Sequence, residues 1–495
     1  MRRQQVRRFL GAFALALLSQ SPGPSLAYEG ATTLAGLTEQ AALKSRLHRR
    51  MLERFALSLG LFEPLRLDPA LIGEDKARSL LIRLLALDAG QGYAPEPLPR
   101  KAGQSFAPLR LHVLGWLAAG AVLEQSPAQR VRHHFADCKT GGGLSRPAGM
   151  TAGAARTEAV SQGLSSVRQL LAGAAMDGTG QSAMDWIESP ENELGLATFL
   201  DAYERSVVAE TAEARESSLV EALLAAGAML SVIEQAGDPA YVHSDLSAVL
   251  AGDYSHYVAE QFGRAGIPEP DAKLDVPSPQ RLRDLIFDGK GNGLAERTGR
   301  FLSSGMISSS VLPAGTKLVG PGGYLSTPAA KHWLLWGQPP RLSDGEWPAP
   351  RFVLDERCFA DYATALLPEV GRYAQAGLDF LLRGDLRIAM QGETQLQIKL
   401  LDEPLGSGVV TLIGEKSSGE RQVLKTLSTL PSRPGVLGLV PLGDVSIKDY
   451  ARLVVLWKGR DRQGQSLVSS AQVALHKTDA VAPAAAATTT EAASE

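Results

Sequence analysis

The hydrophobic pattern changes period near residue 384, and that change limits the possible folds more than any other feature. Before it, apolar residues recur every three to four positions, as one buried helix face requires. After Thr38, residues Leu43, Leu47, Met51, Phe55 and Leu59 repeat every four, with Lys44, Arg46, Arg49 and Arg50 between them. This predicts a helix capped by Thr38 and ended by Gly60 and Pro64. Further helices are predicted over 76–88, 111–125 and 360–382. The segment 111–125 is nearly apolar all round and is therefore placed centrally. Residues 196–236 read as two helices that join near Arg215–Ser217. Beyond residue 384, Leu396, Ile398 and Leu400 alternate with Gln397 and Lys399, the period of a half-buried strand. The runs 409–413, 436–440, 452–457 and 467–475 are further β-rich segments. Residues 141–185, rich in Gly, Ala and Ser, read as a long mobile insertion. Residues 262–350 are dense in Gly and Pro and read mostly as loop with short helices. Residues 478–495 read as a disordered low-complexity tail.

The N-terminus reads as an address. Residues 1–8 are positively charged, Phe9 to Leu18 form an apolar run too short to span a bilayer, and Ser25-Leu26-Ala27 is a small-x-small triplet. This pattern predicts a secretory signal peptide, residues 1–27, cut after Ala27. The mature chain then holds 46 basic against 53 acidic residues, a formal charge of −7. A mildly acidic body argues against a nucleic-acid binder. No other segment is read as a transmembrane helix, so the expected location is outside the cytoplasm, in the periplasm or beyond the cell. At 44% hydrophobic and 21% charged, 495 residues are enough for a sizeable core and several domains. Cys138 and Cys358 are the only cysteines. A disulfide between them would close a long loop and add roughly 4–5 kcal/mol, and two free thiols are the equal alternative.

Four stretches in order resemble the zinc-dependent phospholipase C family, which is related to single-strand-specific zinc nucleases. The strongest is 227–245, GAMLSVIEQAGDPAYVHSD, where Gly227, Pro239, Ala240 and Asp245 fit the family's frame without a gap. Residues 32–41 resemble its Thr-His-x-x-Leu-Thr-Glu start. Residues 120–137 resemble its Gly-Ala-x-x-Glu-Asp and His-Phe-x-Asp run, and 367–384 the stretch before a C-terminal β domain in a secreted subgroup. The resemblance implies a three-zinc site of imidazole and carboxylate ligands, whose metals polarise a phosphoryl oxygen and supply hydroxide. At most of those positions this chain carries something else. Leu34 stands for a His, Gln125 for an Asp, Ser231 for a His, Gln235 for an Asp, and Tyr241 for a His. Glu124 and His134 with Phe135 and Asp137 are retained. Tyr28 stands where the family has an N-terminal Trp. His256 and Glu260 could occupy the last two ligand positions, with Ser255 as the alternative for the Glu. Gln for Asp keeps size and deletes charge, and Leu for His deletes the donor. Burying six positive charges without carboxylates is electrostatically prohibitive.

Other candidates read mainly as structure. His133 and His134, adjacent in sequence, point about 100° apart on a helix and do not converge on one ion. Ser231 lacks the elbow of a nucleophilic serine. Trp333 and Trp336 could stack a sugar or a choline group, with packing as the stronger reading. The expected fold is a mainly α-helical, phospholipase C-like domain over 28–385, followed by a smaller all-β sandwich domain over 386–477. The expected function is a catalytically degenerate relative that binds a lipid head group, a glycan or an extracellular protein. The alternative is a phosphoester hydrolase with a reduced site, at most one zinc, held by His134, His256 and Glu260 with His243 or Asp245. Otherwise no cofactor is expected.

Overall fold

The computed structural model describes residues 28–68, 71, 109–126, 130–144, 181–245, 248–249, 252–304, 317–319, 323–337, 351–392, 394–401, 405–429, 435–442 and 447–475. The proposed signal peptide, the predicted helix 76–88, residues 145–180 of the insertion and the tail lie outside them.

The centre is the helix Ala212–Gln235. Thr211 caps it by accepting from Ala214 N at 3.2 Å, and Glu213 in the first turn complements the helix dipole. Its Ala- and Leu-rich interior suits a helix packed on every side. By length and a mean hydropathy of 1.5 it could cross a membrane, yet 89% of its most apolar window is buried inside this protein. It ends at Gln235, and Asp238 followed by Pro239 starts the short helix Pro239–Val242. The helix Val113–Glu124 crosses it at very close range. A Cβ on Gly227 would meet the Leu117 carbonyl oxygen at 1.9 Å, and one on Gly120 the Leu224 oxygen at 2.2 Å. Helices Ala35–Lys44, Leu196–Val208 and Glu356–Leu381 pack around this pair.

Several predicted helices are found with shifted limits. The helix expected through 43–59 is two helices, Ala35–Lys44 and Leu47–Phe55. Ser45 breaks it, because its hydroxyl bonds Ala42 O at 2.9 Å and accepts from Leu47 N at 3.1 Å. As a result Leu43 and Leu59 are exposed while Leu47 and Met51 are buried. The joint within 196–236 falls at Ala209–Thr211, upstream of Arg215–Ser217.

Among the described residues the strands form four antiparallel sheets. In chain order they are β1 (Pro64–Leu67), β2 (Leu109–His112), β3 (Lys317–Val319), β4 (Tyr324–Ser326), β5 (Leu334–Gly337) and β6 (Arg351–Val353). They continue with β7 (Leu386–Gln391), β8 (Gln395–Leu400), β9 (Leu405–Glu415), β10 (Arg421–Thr429), β11 (Gly435–Pro441), β12 (Arg452–Asp461) and β13 (Ser466–Ala474). The sheet orders are β1-β2, β3-β4-β5-β6, β11-β8-β7 and β10-β9-β12-β13.

This corrects the expected fold class. The structure holds 46% helix and 21% strand spread over four small sheets, a mixed α/β content. It is not a mainly α domain followed by a β-sandwich. Two of the sheets lie among the helices, and one of them, β3-β4-β5-β6, falls largely within 262–350, where the composition predicts mostly loop with short helices. The sheet β10-β9-β12-β13 is covered on both faces. Val410, Leu412, Leu453, Val455 and Trp457 share a core with Leu396, Ile398 and Leu400 of the three-stranded sheet. Ile413, Val454, Leu456 and Val468 point the other way, into the core of the helices. Helix Leu47–Phe55 rests on β13, and Leu196–Val208 on β12 and β13.

Candidate functional site

The close crossing of Val113–Glu124 and Ala212–Gln235 brings the C-terminal ends of both helices to one buried region. Glu124 ends one helix and Gln235 the other, and His134 lies between them just after the turn Arg130–His133. All three side chains are fully buried. His134 Nδ1 lies 2.7 Å from Gln235 Oε1, and Nε2 lies 3.1 Å from Glu124 Oε1. Trp186 Nε1 donates to the same Glu124 oxygen at 2.8 Å. Arg130 donates to Glu124 Oε2 and, at 2.6 Å, to Asn192 Oδ1. Burial alone would push the Glu124 carboxyl up. The Arg130 charge and the contacts with His134 outweigh it and hold the group below its ordinary range. Next door, His133 stacks on Trp186 with ring centres 4.2 Å apart. Burial, then the charges of Arg132, His134 and Arg130, push it down to about 4.

The five positions where the resemblance implies zinc ligands lie in or beside this region, and the residues there do not fit zinc. Leu34 is wholly buried in the main core. Gln125 lies against Gly30, where a Cβ would meet its Cγ at 3.1 Å. Ser231 bonds back to Ala228 O of its own helix at 2.8 Å. Gln235 holds His134, and Tyr241 stacks on Phe135 at 4.6 Å. Alkyl, amide, hydroxyl and phenol groups replace imidazole and carboxylate. Both nitrogens of the one retained imidazole, His134, are already engaged.

The reduced metal set does not come together either. His256 and Glu260 pair at 3.1 Å as an exposed i, i+4 couple, whereas His134 is sealed in the core. His243 Nε2 faces Phe301 O at 2.7 Å and its Nδ1 faces Cys138 Sγ at 3.6 Å. Asp245 accepts from Ala248 N at 3.1 Å. Among the described residues no three His, Cys, Asp or Glu side chains are grouped to hold a metal. Cys138 and Cys358 are both free, so the disulfide alternative gives way to two thiols. Cys138 sits against His243 and Gly299, while Cys358 lies in the first turn of Glu356–Leu381, where its N–H is held by Asp355 at 3.1 Å. Burial raises both thiols, Cys138 to about 11 and Cys358 to about 12, which makes them poor nucleophiles. Trp333 packs in the core with Nε1 on Arg300 O at 3.1 Å, and the Trp336 side chain lies outside the described ones.

Sequence reasoning passed over two acids on this segment, Glu234 and Asp238. Both are buried. Glu234 Oε1 accepts from Thr38 at 2.9 Å, and its Oε2 has no hydrogen-bond partner among the described residues. Burial pushes this carboxyl well above the carboxylate range, and the Thr38 bond offsets little. Asp238 caps Ala240 N at 2.9 Å. Burial pushes it up to about 7, against the Ala240 hydrogen bond and with help from the Asp245 charge. Nearby, Tyr28 Oη donates to Gly237 O at 3.0 Å and lies 3.4 Å from the Tyr254 hydroxyl. A legible signal existed: both acids sit in a run, 228–242, that is otherwise almost free of charge. Beside Asp238 a cavity opens, walled also by Tyr254, Ser255, Ser303, Phe359 and Tyr362.

No family model matches the chain, and no curated protein or solved structure matches it either.

Proposed function

We propose that this chain is an exported, catalytically silent relative of the zinc-dependent phospholipases C, and that it acts by binding. The resemblance rests on its own sequence motifs, and export on the signal-like residues 1–27. One observation carries the loss of catalysis. The region where the resemblance would put a metal cluster is filled by packed and hydrogen-bonded side chains, with Glu124, His134 and Gln235 tied to one another. Robust hydrolysis of a phosphodiester needs a metal-bound hydroxide or an equally activated nucleophile. These residues offer neither a ligand set nor an open coordination position. Binding therefore falls to the surface and to the cavity beside Asp238. The candidate ligands are a lipid head group, a glycan and an extracellular protein. Nucleic acid is disfavoured by the acidic body.

The test is metal content by elemental mass spectrometry after zinc exposure and desalting, run beside a phosphodiesterase assay. Near-zero zinc and no turnover are expected. About three zinc ions per chain with zinc-dependent hydrolysis would overturn the reading.

A further inference from the structure

The cavity beside Asp238 lies where Pro239–Val242 and Asp253–Phe262 begin. The cavity is small, with about 20 Å³ of room for the centre of a water-sized group. That is space for one such group. The groups around it want a partner of a particular kind. Ser303 is buried, lines the cavity, and its hydroxyl has no hydrogen-bond partner among the described residues. An unmade bond of this sort costs about 1–3 kcal/mol until something supplies it. Ser255 donates to Gly252 O at 3.1 Å and keeps its lone pairs. Asp238 is an acceptor whose Oδ1 is already used by Ala240 N.

Charge narrows the occupant. The helix Asp253–Phe262 starts at the cavity from Gly252 with no side-chain cap, and Asp253 in its first turn offsets the partial positive charge of its free N–H groups. The Asp238 carboxyl disfavours an anion. A hydroxyl satisfies both sides, because it donates to Asp238 or Ser255 while accepting from Ser303. The apolar walls, Leu302, Leu354 and Phe359, suit the C–H face of a ring.

We propose that this cavity takes one hydroxyl of a neutral polyhydroxylated ligand, a saccharide or polyol, whose remaining hydroxyls lie across the mouth beside Ser304. This inference rests on the reading of the chain as a binding protein and selects the glycan among its candidate ligands.

The test titrates the full chain by calorimetry with neutral mono- and disaccharides and glycerol, beside phosphocholine and phosphatidylcholine vesicles. Ser303→Ala, Ser303→Leu and Asp238→Asn are compared, with circular dichroism as the check on folding. The expected result is binding of a saccharide, weakened about tenfold by Ser303→Ala and abolished by Ser303→Leu, which fills the space. Asp238→Asn, which can still cap, should weaken it less than Ser303→Leu. Saccharide binding indifferent to both Ser303 variants overturns the inference, as does binding of vesicles or phosphocholine alone. Either result leaves the binding-protein reading standing. No binding of any probe together with zinc-dependent hydrolysis overturns that reading as well.

Discussion

At the residue scale the chemistry of the buried region divides between a carboxyl with a cation, Glu124, and two without, Glu234 and Asp238. Glu124 has Arg130, His134 and Trp186 around it. Glu124→Ala strands the Arg130 guanidinium and the Trp186 N–H, and should cost about 3–5 kcal/mol in denaturant unfolding. An unchanged midpoint would show that the network is not a structural keystone. Asp238 faces Asp245 and the phenols Tyr28, Tyr241 and Tyr254, and no cation offsets it among its sources of shift. Its folded value, about 7, lies above the ordinary 3.8. The folded state therefore holds a proton that the unfolded state releases, and stability from this group is lost as pH rises from about 4 to 7. His133 works the other way. Its folded value, about 4, lies below the ordinary 6.5, so its contribution grows over much of the same window. The two slopes oppose each other in the parent protein, and a difference measurement separates them. Asp238→Asn keeps the cap and removes one titration. The variant's stability relative to the parent should rise steadily from pH 4 to 7, by a few kcal/mol, and level off above. A flat difference profile would refute the buried-acid account of Asp238.

At the element scale the decisive contact is the crossing at Gly120 and Gly227. Alanine is the better helix former by about 1 kcal/mol, so propensity alone favours Gly227→Ala. Packing reverses the sign, because the new methyl would lie 1.9 Å from the Leu117 oxygen. The helices must separate, and with them Glu124 and Gln235. We expect a net loss of about 1–3 kcal/mol in thermal or urea unfolding. A stabilised Gly227→Ala would refute the close crossing. The same elements show what the sequence could convey. The apolar stretch 111–125 marked a central helix because all-round hydrophobicity has only one stable place. The long helix before residue 384 was legible from its period. The break at Ser45 was not, since a serine hydroxyl competes with the helix only through local bonds that periodicity ignores. Strands β3 to β6 are three or four residues long, too short to establish an alternation. Strands β7 and β10 carry half-buried, mixed residues and gave no clean pattern. At the site the residue types at Leu34, Gln125, Ser231, Gln235 and Tyr241 were readable one by one, but not their contacts. The pairing of His134 with Gln235 joins positions 101 residues apart and was not legible.

At the scale of the whole molecule the sheets and the helices share their core. The signal was present in β12, whose run Leu453–Trp457 is continuously apolar rather than alternating, as a strand buried on both faces must be. Reading it as one side of a self-contained sandwich ignored that second face. Charges reinforce the joint. Asp385, at the start of the sheet region, meets Arg54 and Arg50 of helix Leu47–Phe55, and Arg50 also meets Asp379 at 2.9 Å. Arg383 and Asp461 pair at 2.9 Å with both side chains buried. The arginines outnumber the acids around Asp385, and they hold its carboxyl low against the opposing effect of burial. Asp385→Ala should therefore cost about 3–5 kcal/mol, with much of that from stranded guanidinium groups. A fragment of residues 386–475 gives a sharper test. Alone, it would turn Ile413, Val454, Leu456 and Val468 to water as one apolar face on a four-stranded sheet. Exposed faces of that kind drive association. Size-exclusion chromatography of the isolated fragment should show oligomers or aggregate, and co-expression with residues 28–385 should recover a one-to-one complex. A monomeric fragment with its own cooperative melting transition would instead show that the helices merely lie against a self-sufficient unit, and the shared core would lose its energetic meaning.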